Sequence, residues 1–295
     1  MMHIINGKEV AQSTLLKLET MIRCIEASLY RAPKLHVYRV GEHPASMIYT
    51  QNKLNTGRKI GMDVEIIALP EEITEDALMH LIKKDNNDPK VDGLIVQLPL
   101  PDQLDAYRIT NAIVSHKDVD GLTDGNLGGL VSQSSLLKPC TPLGILELLK
   151  SIHCPLRGLD ALVIGKSCIV GKPLALSLMS CGCTVTVAHK ATKQLKEKVQ
   201  ASDLVVSAIG NPNVIQPQWF KKHAIVIDVG INRLDHGAIV GDVDYQQCKQ
   251  AGFVTPVPGG VGPMTVAMLI KNTVLACCHQ HDLMDLYYEH FGEAL

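Results

Sequence analysis

The chain has 295 residues, 46% of them hydrophobic, which suffices for one large or two ordinary domains with real cores. Its 28 basic and 30 acidic residues leave a net charge of −2, so no global bias toward nucleic acid or an anionic membrane exists and any phosphate binding must be local. Three Phe and one Trp offer little for base stacking, and nine Cys follow no disulfide framework. The opening residues lack a signal peptide's basic end and apolar run, so a soluble protein of the reducing cytoplasm is expected.

Val10, Leu15, Leu18, Met21, Ile22 and Ile25 recur at helical spacing after an Asn6-Gly7 turn, predicting an amphipathic first helix. Leu35 to Val40 reads as a strand, and His43-Pro44-Ala45-Ser46 opens a helix that carries Tyr49 and Lys53. Val64 to Leu69 is a further strand, Glu75 to Lys84 a helix, and Val91 to Val96 a third strand. Strands alternating with helices at this spacing imply a parallel α/β sheet. Pro99 and Pro101 stop the third strand and leave Gln97 at its carboxyl end, where ligands of open α/β sheets gather. A polar turn, His116 to Gly121, comes next, and Lys138-Pro139-Cys140-Thr141-Pro142 marks a joint between domains.

Ala161-Leu162-Val163-Ile164 suits a strand buried on both faces, Gly165 permits a tight turn, and Gly171-Lys172-Pro173 can open a helix. Free N–H groups at such a turn favour an anion, and a dinucleotide pyrophosphate is the natural guest. Ser167 stands where a second glycine would allow the closest approach, so the pyrophosphate sits higher or leans on its hydroxyl. The same turn can occur with no ligand; the strand Cys183 to Ala188 shifts the balance. It ends in His189-Lys190, where a dinucleotide domain reads the ribose, and Lys190 with Lys166 favours a 2′-phosphate, hence NADP over NAD. Two further strands, Leu204 to Gly210 and Ala224 to Gly230, continue the pattern. The loop Thr255 to Thr265, rich in proline and glycine, fixes an unusual path that admits a cis peptide and suits a binding wall, and a long apolar helix is expected from Val266 to Cys277.

Tyr49 and Lys53, four apart, project from one helix face, and a lysine desolvated beside an aromatic ring can exchange protons near neutrality. Gln97 can hold a lysine amine and a substrate carbonyl together. Asp120 offers a bidentate carboxylate suited to a flat heterocycle with two adjacent N–H donors, although Asp118 and Asp120 read equally well as turn formers. Tyr-x-x-x-Lys also occurs in short-chain dehydrogenases, but there it follows the nucleotide turn, whereas here it precedes it. Cys181-Gly182-Cys183 and Cys277-Cys278 lack a second ligand pair and read as core thiols, no apolar run reaches bilayer-spanning length, and no metal is expected.

Taken in order, Tyr49-x-x-x-Lys53, Val96 to Pro101, Lys117 to Gly121, Pro139 to Pro142, Gly165 to Pro173, Asp228 to Asn232 and Pro256 to Thr265 resemble the bifunctional methylenetetrahydrofolate dehydrogenase/methenyltetrahydrofolate cyclohydrolase family. The resemblance implies an NADP-dependent oxidation of 5,10-methylenetetrahydrofolate followed by hydrolysis to 10-formyltetrahydrofolate; a dehydrogenase without the hydrolytic step is the alternative. It implies Lys53 as the central catalytic group, Gln97 tuning it, and Tyr49 stacking on the folate. It also implies Asp120 holding the pterin, and Gly262 and Pro263 walling the pocket. Gly165, Lys166, Ser167, Lys190 and Ile231 fall at cofactor positions. A folate-binding α/β domain (residues 1–138 with 272–295), a Rossmann-like NADP domain (139–271) and a homodimer are likewise implied. Many relatives carry Arg at the Lys166 position and Ser or Arg at the Lys190 position; lysine keeps the charge but loses the guanidinium fork, which puts affinity rather than preference in question.

Overall fold

The computed structural model describes residues 2–212, 214–234 and 237–292. In chain order it contains β1 (His3–Ile4), α1 (Gly7–Leu29), β2 (Lys34–Val40), α2 (Pro44–Lys59), β3 (Asp63–Leu69), α3 (Glu75–Asn86) and β4 (Gly93–Val96). Next come α4 (Ala106–Asn111), α5 (Asp124–Ser132), α6 (Cys140–Ser151), β5 (Asp160–Ile164), α7 (Gly171–Ser180), β6 (Thr184–Ala188), α8 (Leu195–Ala201) and β7 (Leu204–Ser207). The chain ends with β8 (Ile225–Asp228), β9 (Asn232–Arg233), β10 (Ile239–Val240), β11 (Phe253–Val254), α9 (Val261–Gln280) and α10 (Met284–Phe291). It forms two compact units, Ser13–Cys140 with Val266–Leu295, and Met1–Gln12 with Thr141–Thr265.

The first unit is built on a parallel sheet of order β3-β2-β4, in which Val37 lies between Ile66 and Ile95. Tyr38, Val40, Leu94 and Val96 pack on Leu78 and Ile82 of α3 and Ile109 of α4. Thr74 caps α3 by accepting the Ala77 N–H, with Glu75 and Asp76 in its first turn and Lys83 and Lys84 in its last, so charge follows the helix dipole at both ends. Past α1, Arg31 donates two hydrogen bonds to the buried Asp92 carboxylate (2.7 and 2.8 Å), and its Nη2 lies 2.8 Å from His281 Nε2. Asp92 also accepts the Lys34 N–H, so one carboxylate fastens the start of β2 and the residues that follow α1 and α9.

The second unit carries a parallel sheet of order β1-β11-β8-β7-β5-β6. Chain order reverses on the two sides of β5, which places the turn after β5 at the switch point where α/β sheets bind ligands. Leu162, Ile164, Val205 and Val226 of this sheet share a core with Val199 of α8 and with Phe220 and Val243. The two-residue strands β1 and β11 pair in register, His3 with Phe253 and Ile4 with Val254, and this ladder groups the first residues of the chain with the larger sheet.

Two elements differ from expectation. Helix α9 starts at Val261 rather than Val266, because Pro263 falls in its first turn, where a missing N–H costs nothing. At 20 residues it is also long and apolar enough to cross a membrane, contrary to the sequence reading; 72% of its most apolar stretch is buried within the protein, which makes it a core helix. The Leu98-Pro99 and Val257-Pro258 peptides are cis.

Removing the cation from a buried pair leaves the carboxylate unpaired. Arg31→Ala is therefore expected to lower unfolding free energy by about 3–5 kcal/mol, read from urea denaturation. A change within experimental error would show that His281 and water replace the guanidinium.

Candidate active site

Lys53 and Tyr49 project from α2, and Gln97 stands one residue past β4. Gln97 N–H donates to Tyr38 O (2.8 Å), which extends the ladder by one bond and fixes the residue at the carboxyl edge of the sheet. Its side-chain Nε2 donates to Leu98 O (2.7 Å), which turns Oε1 toward Lys53 Nζ at 2.9 Å. Burial lowers the Lys53 pKa, while the nearby Asp120 carboxylate and the Cys140 thiol pull it back up. An enclosed amine whose hydrogen-bonded acceptor is a neutral amide is poised to exchange a proton. Tyr49, one turn away, is 38% exposed, leaving ring surface free, and burial raises its hydroxyl pKa.

The two aspartates that the sequence left equivalent have different surroundings. Asp118 is buried and accepts from Gly121 N (3.0 Å), Thr123 N (2.7 Å) and Asn126 Nδ2 (2.9 Å), so it is the turn former. Asp120 is partly exposed and acts on both Lys53 and Cys140. Lys117 is structural, donating to Asp85 O and Asp88 O. Cys140 was noted in the sequence only as part of a motif. It is fully enclosed, burial drives its pKa far up, and its thiol donates to Val119 O at 3.2 Å. Ser46, on α2, is buried with no partner for its hydroxyl among the described residues. Nothing in the local sequence marks either residue, since each owes its surroundings to tertiary packing. Gly262 and Pro263 open α9 and belong to the other compact unit; Gly262 has open space where a Cβ would stand.

In the second unit the structure brings Gly165, Lys166, Ser167, Lys190 and Ile231 to the carboxyl edge of one sheet. Gly165 has φ +129°, and a Cβ there would lie 2.4 Å from Ala208 O, while one on Gly171 would lie 2.0 Å from Gly165 O. The turn is thus closed backbone to backbone and tolerates no side chain. Ser167 Oγ accepts from Val170 N (3.1 Å) and Gly171 N (3.4 Å), so it caps the entry to α7 and keeps its own O–H to donate to an anion. Register pairs Ile164 with Ala188, so Lys190 lies past the neighbouring strand end, exposed like Lys166. Ile231, 48% exposed, follows β8. Asp242, missed in the sequence, organises the next loops: its carboxylate accepts from Ser207 Oγ, from the N–H groups of Ile209, Gly210 and Asn211, and from Asn232 Nδ2. Beside it, burial raises the Asp228 pKa to about 6, against three backbone N–H donors that favour the charged form.

Ligand atoms of Asp92, Cys277 and His281 lie within 4.8 Å of one another, a grouping that could suit a metal ion. Arg31 already engages both Asp92 oxygens, so a resident cation fills that role. The nine cysteines form no disulfide, and burial pushes Cys183 up to about 11 and Cys278 to about 12.

A sheet with a dinucleotide-type turn in one unit and an enclosed lysine in the other define a two-unit α/β enzyme. Residues 5–120 match the catalytic domain of tetrahydrofolate dehydrogenase/cyclohydrolase, and residues 139–281 its NAD(P)-binding domain. The chain is 47% identical over 279 residues to the bifunctional protein FolD of Wolbachia sp. subsp. Drosophila simulans (strain wRi), covering 94% of this chain and 96% of that one. Among solved structures, the bifunctional FolD of Campylobacter jejuni is 41% identical with TM-score 0.92, covering 95% of this chain and 99% of its own. The Trypanosoma brucei FolD, complexed with NADP cofactor and inhibitor, is 33% identical with TM-score 0.89, covering 94% and 97%. The chain belongs to the tetrahydrofolate dehydrogenase/cyclohydrolase family.

Because the Asp120 carboxylate favours the charged amine, its removal should lower the Lys53 pKa further. Followed by NMR on the labelled side chain, Lys53 should titrate below the ordinary lysine value of about 10.4, and lower still in Asp120→Asn. An equal or higher value in that variant would mean that burial alone sets it.

Proposed function

We propose that this chain carries out both steps of its family's chemistry with Lys53 as the proton carrier. It is a bifunctional enzyme of one-carbon metabolism. It oxidises 5,10-methylenetetrahydrofolate to the 5,10-methenyl cation and hydrolyses that cation to 10-formyltetrahydrofolate, with NADP as cofactor. The observation that carries the assignment of roles is the enclosed Lys53–Gln97 contact of 2.9 Å at the carboxyl edge of the smaller sheet.

NADP+, when bound, accepts the hydride that leaves the methylene bridge. The closed Gly165–Gly171 turn, the Ser167 hydroxyl and the exposed ammonium groups of Lys166 and Lys190 suit the pyrophosphate and 2′-phosphate, with Ile231 against the cofactor. In hydration, neutral Lys53 takes a proton as water adds to the methenyl carbon, and returns one to N5 as the C–N5 bond breaks. Gln97 holds the amine in place, Tyr49 stacks on the folate, Asp120 holds the pterin, and Gly262 and Pro263 wall the pocket. An intact Lys53–Gln97 pair supports both activities over a dehydrogenase alone.

Three further readings belong to the proposal. The folate-binding domain comprises residues 1–138 with 272–295 and the NADP domain 139–271. Nine cysteines with no disulfide among them support a reducing cytoplasmic setting. A homodimer is supported by β6, an edge strand that leaves Val187 40% exposed. Val187→Lys should shift such a dimer to monomer in light scattering, whereas an unchanged mass would place the interface elsewhere.

The decisive assay follows absorbance with 5,10-methylenetetrahydrofolate and either NADP+ or NAD+, and separately the decay of added methenyltetrahydrofolate. Wild-type protein should oxidise faster with NADP+ and hydrolyse the methenyl compound. In Lys53→Met hydrolysis should fall by about 10²–10⁴-fold, with affinity for NADP+ unchanged. Wild-type hydrolysis in the variant would remove Lys53 from the proton path.

A further inference from the structure

Besides Gln97, two groups that act on Lys53 from outside its own helix, Asp120 and Cys140, come from two separate segments. Asp120 follows Val119 in the loop after β4 and α4; Cys140 begins α6, two residues after Lys138. The loops touch backbone to backbone: Gly121 has φ +73°, and a Cβ on it would lie 2.4 Å from the Lys138 carbonyl carbon. No regular secondary structure pairs the two segments; the Cys140 thiol on Val119 O is one link between them, and a group from a third segment supplies another.

Asn272 on α9 is placed for that task. It is 2% exposed, and its Nδ2 donates to Val119 O and to Lys138 O, each at 2.9 Å, with the Cys140 sulfur at 3.6 Å. Val119 O accepts from both Asn272 and the Cys140 thiol, so its two lone pairs are used by groups from two other segments. One amide therefore spans the carbonyl one residue before Asp120 and the carbonyl two residues before Cys140. Aspartate has the same shape without donors, and leucine has similar bulk with neither donor nor acceptor; either would remove the partner that the two carbonyls share.

We propose that Asn272 is a positioning residue for this reaction: through its two N–H bonds it fixes Asp120 and Cys140 against the Lys53 amine. The proposal rests on Lys53 as proton carrier. Gln97 past β4 bonds this amine, and Asp120 and Cys140 act on it electrostatically. Asn272 touches none of the reacting atoms and acts through the two loops alone.

Asn272→Leu and Asn272→Asp test it, with Thr273→Val as control. Thr273 is the adjacent buried residue, and among the described residues its hydroxyl bonds within the helix, to Leu269 O at 2.9 Å. Circular dichroism and NADP+ titration establish that each variant is folded. A displacement on the ångström scale at a reacting group costs on the order of 10²-fold, so methenyl hydrolysis in both Asn272 variants should fall about 10- to 100-fold. KM for the folate should rise, and the pH midpoint of hydrolysis should move from the wild-type value. Thr273→Val should lose thermal stability to a similar degree and keep the wild-type KM and pH midpoint. The proposal is overturned if either folded Asn272 variant keeps the wild-type rate and pH midpoint, or if Thr273→Val reproduces their losses. Absence of hydrolysis in wild-type protein would overturn the functional reading instead, which separates the two failures.

Discussion

The site depends on enclosing a primary amine against an acceptor that carries no charge. A lysine removed from water beside a carboxylate normally keeps its proton, because the ion pair offsets the lost hydration. Here the atom 2.9 Å from Lys53 Nζ is an amide oxygen, and the carboxylate of Asp120 acts without forming an ion pair at contact distance. Burial therefore outweighs the favourable charge, and the net direction is down. A glutamate at position 97 would reverse that order, since the same distance at low effective dielectric would bind the proton tightly. The chemistry assigned to Lys53 thus requires both a side chain that can hold it and one that does not charge it.

The surrounding fold meets that requirement with buried polar groups that answer to backbone amides rather than to cations. Asp118 closes its turn on two N–H groups and an asparagine. Asn272 spans two carbonyls, and in the other unit Asp242 collects one hydroxyl, three N–H groups and an asparagine. Asp242 fixes loops that leave the carboxyl ends of parallel strands, and Asp118 and Asn272 fix the connections that follow α4 and α5. An irregular loop keeps its shape only if its peptide groups are satisfied, and a buried carboxylate or amide satisfies several at once. Arg31 and Asp92 are the contrasting case, a buried ion pair used to fasten elements together away from the lysine.

Much of this was legible in the sequence because it is periodic or local. The alternation of strands and helices, the turn from Gly165 to Pro173, and the shared helix face of Tyr49 and Lys53 are properties of short windows. Two-residue strands such as β1 and β11 have no window in which alternation can register, and only their pairing identifies them. The start of α9 was misplaced because glycine and proline, which punctuate loops, also suit a first helical turn. Asp118 and Asp120 are the sharpest limit: the residues are the same type two positions apart, and only the donors facing Asp118 separate turn former from site residue. Asn272 lies 153 positions from one of its acceptors, and no local pattern announces such a contact.

The same lowered pKa serves the two steps for different reasons. Removing hydride from the methylene bridge leaves a cation delocalised between two nitrogens, and an ammonium close to it would raise the energy of that product. A neutral amine removes this repulsion, and the Asp120 carboxylate favours the positive charge as it forms. The succeeding step then needs a base to take a proton from water, which is what a neutral amine is. On the proposed role of Lys53, oxidation would deliver its product to a lysine whose lowered pKa favours the form that hydration requires. Two reactions that appear to make separate demands converge on one physical condition, a lysine kept from water and paired with an amide.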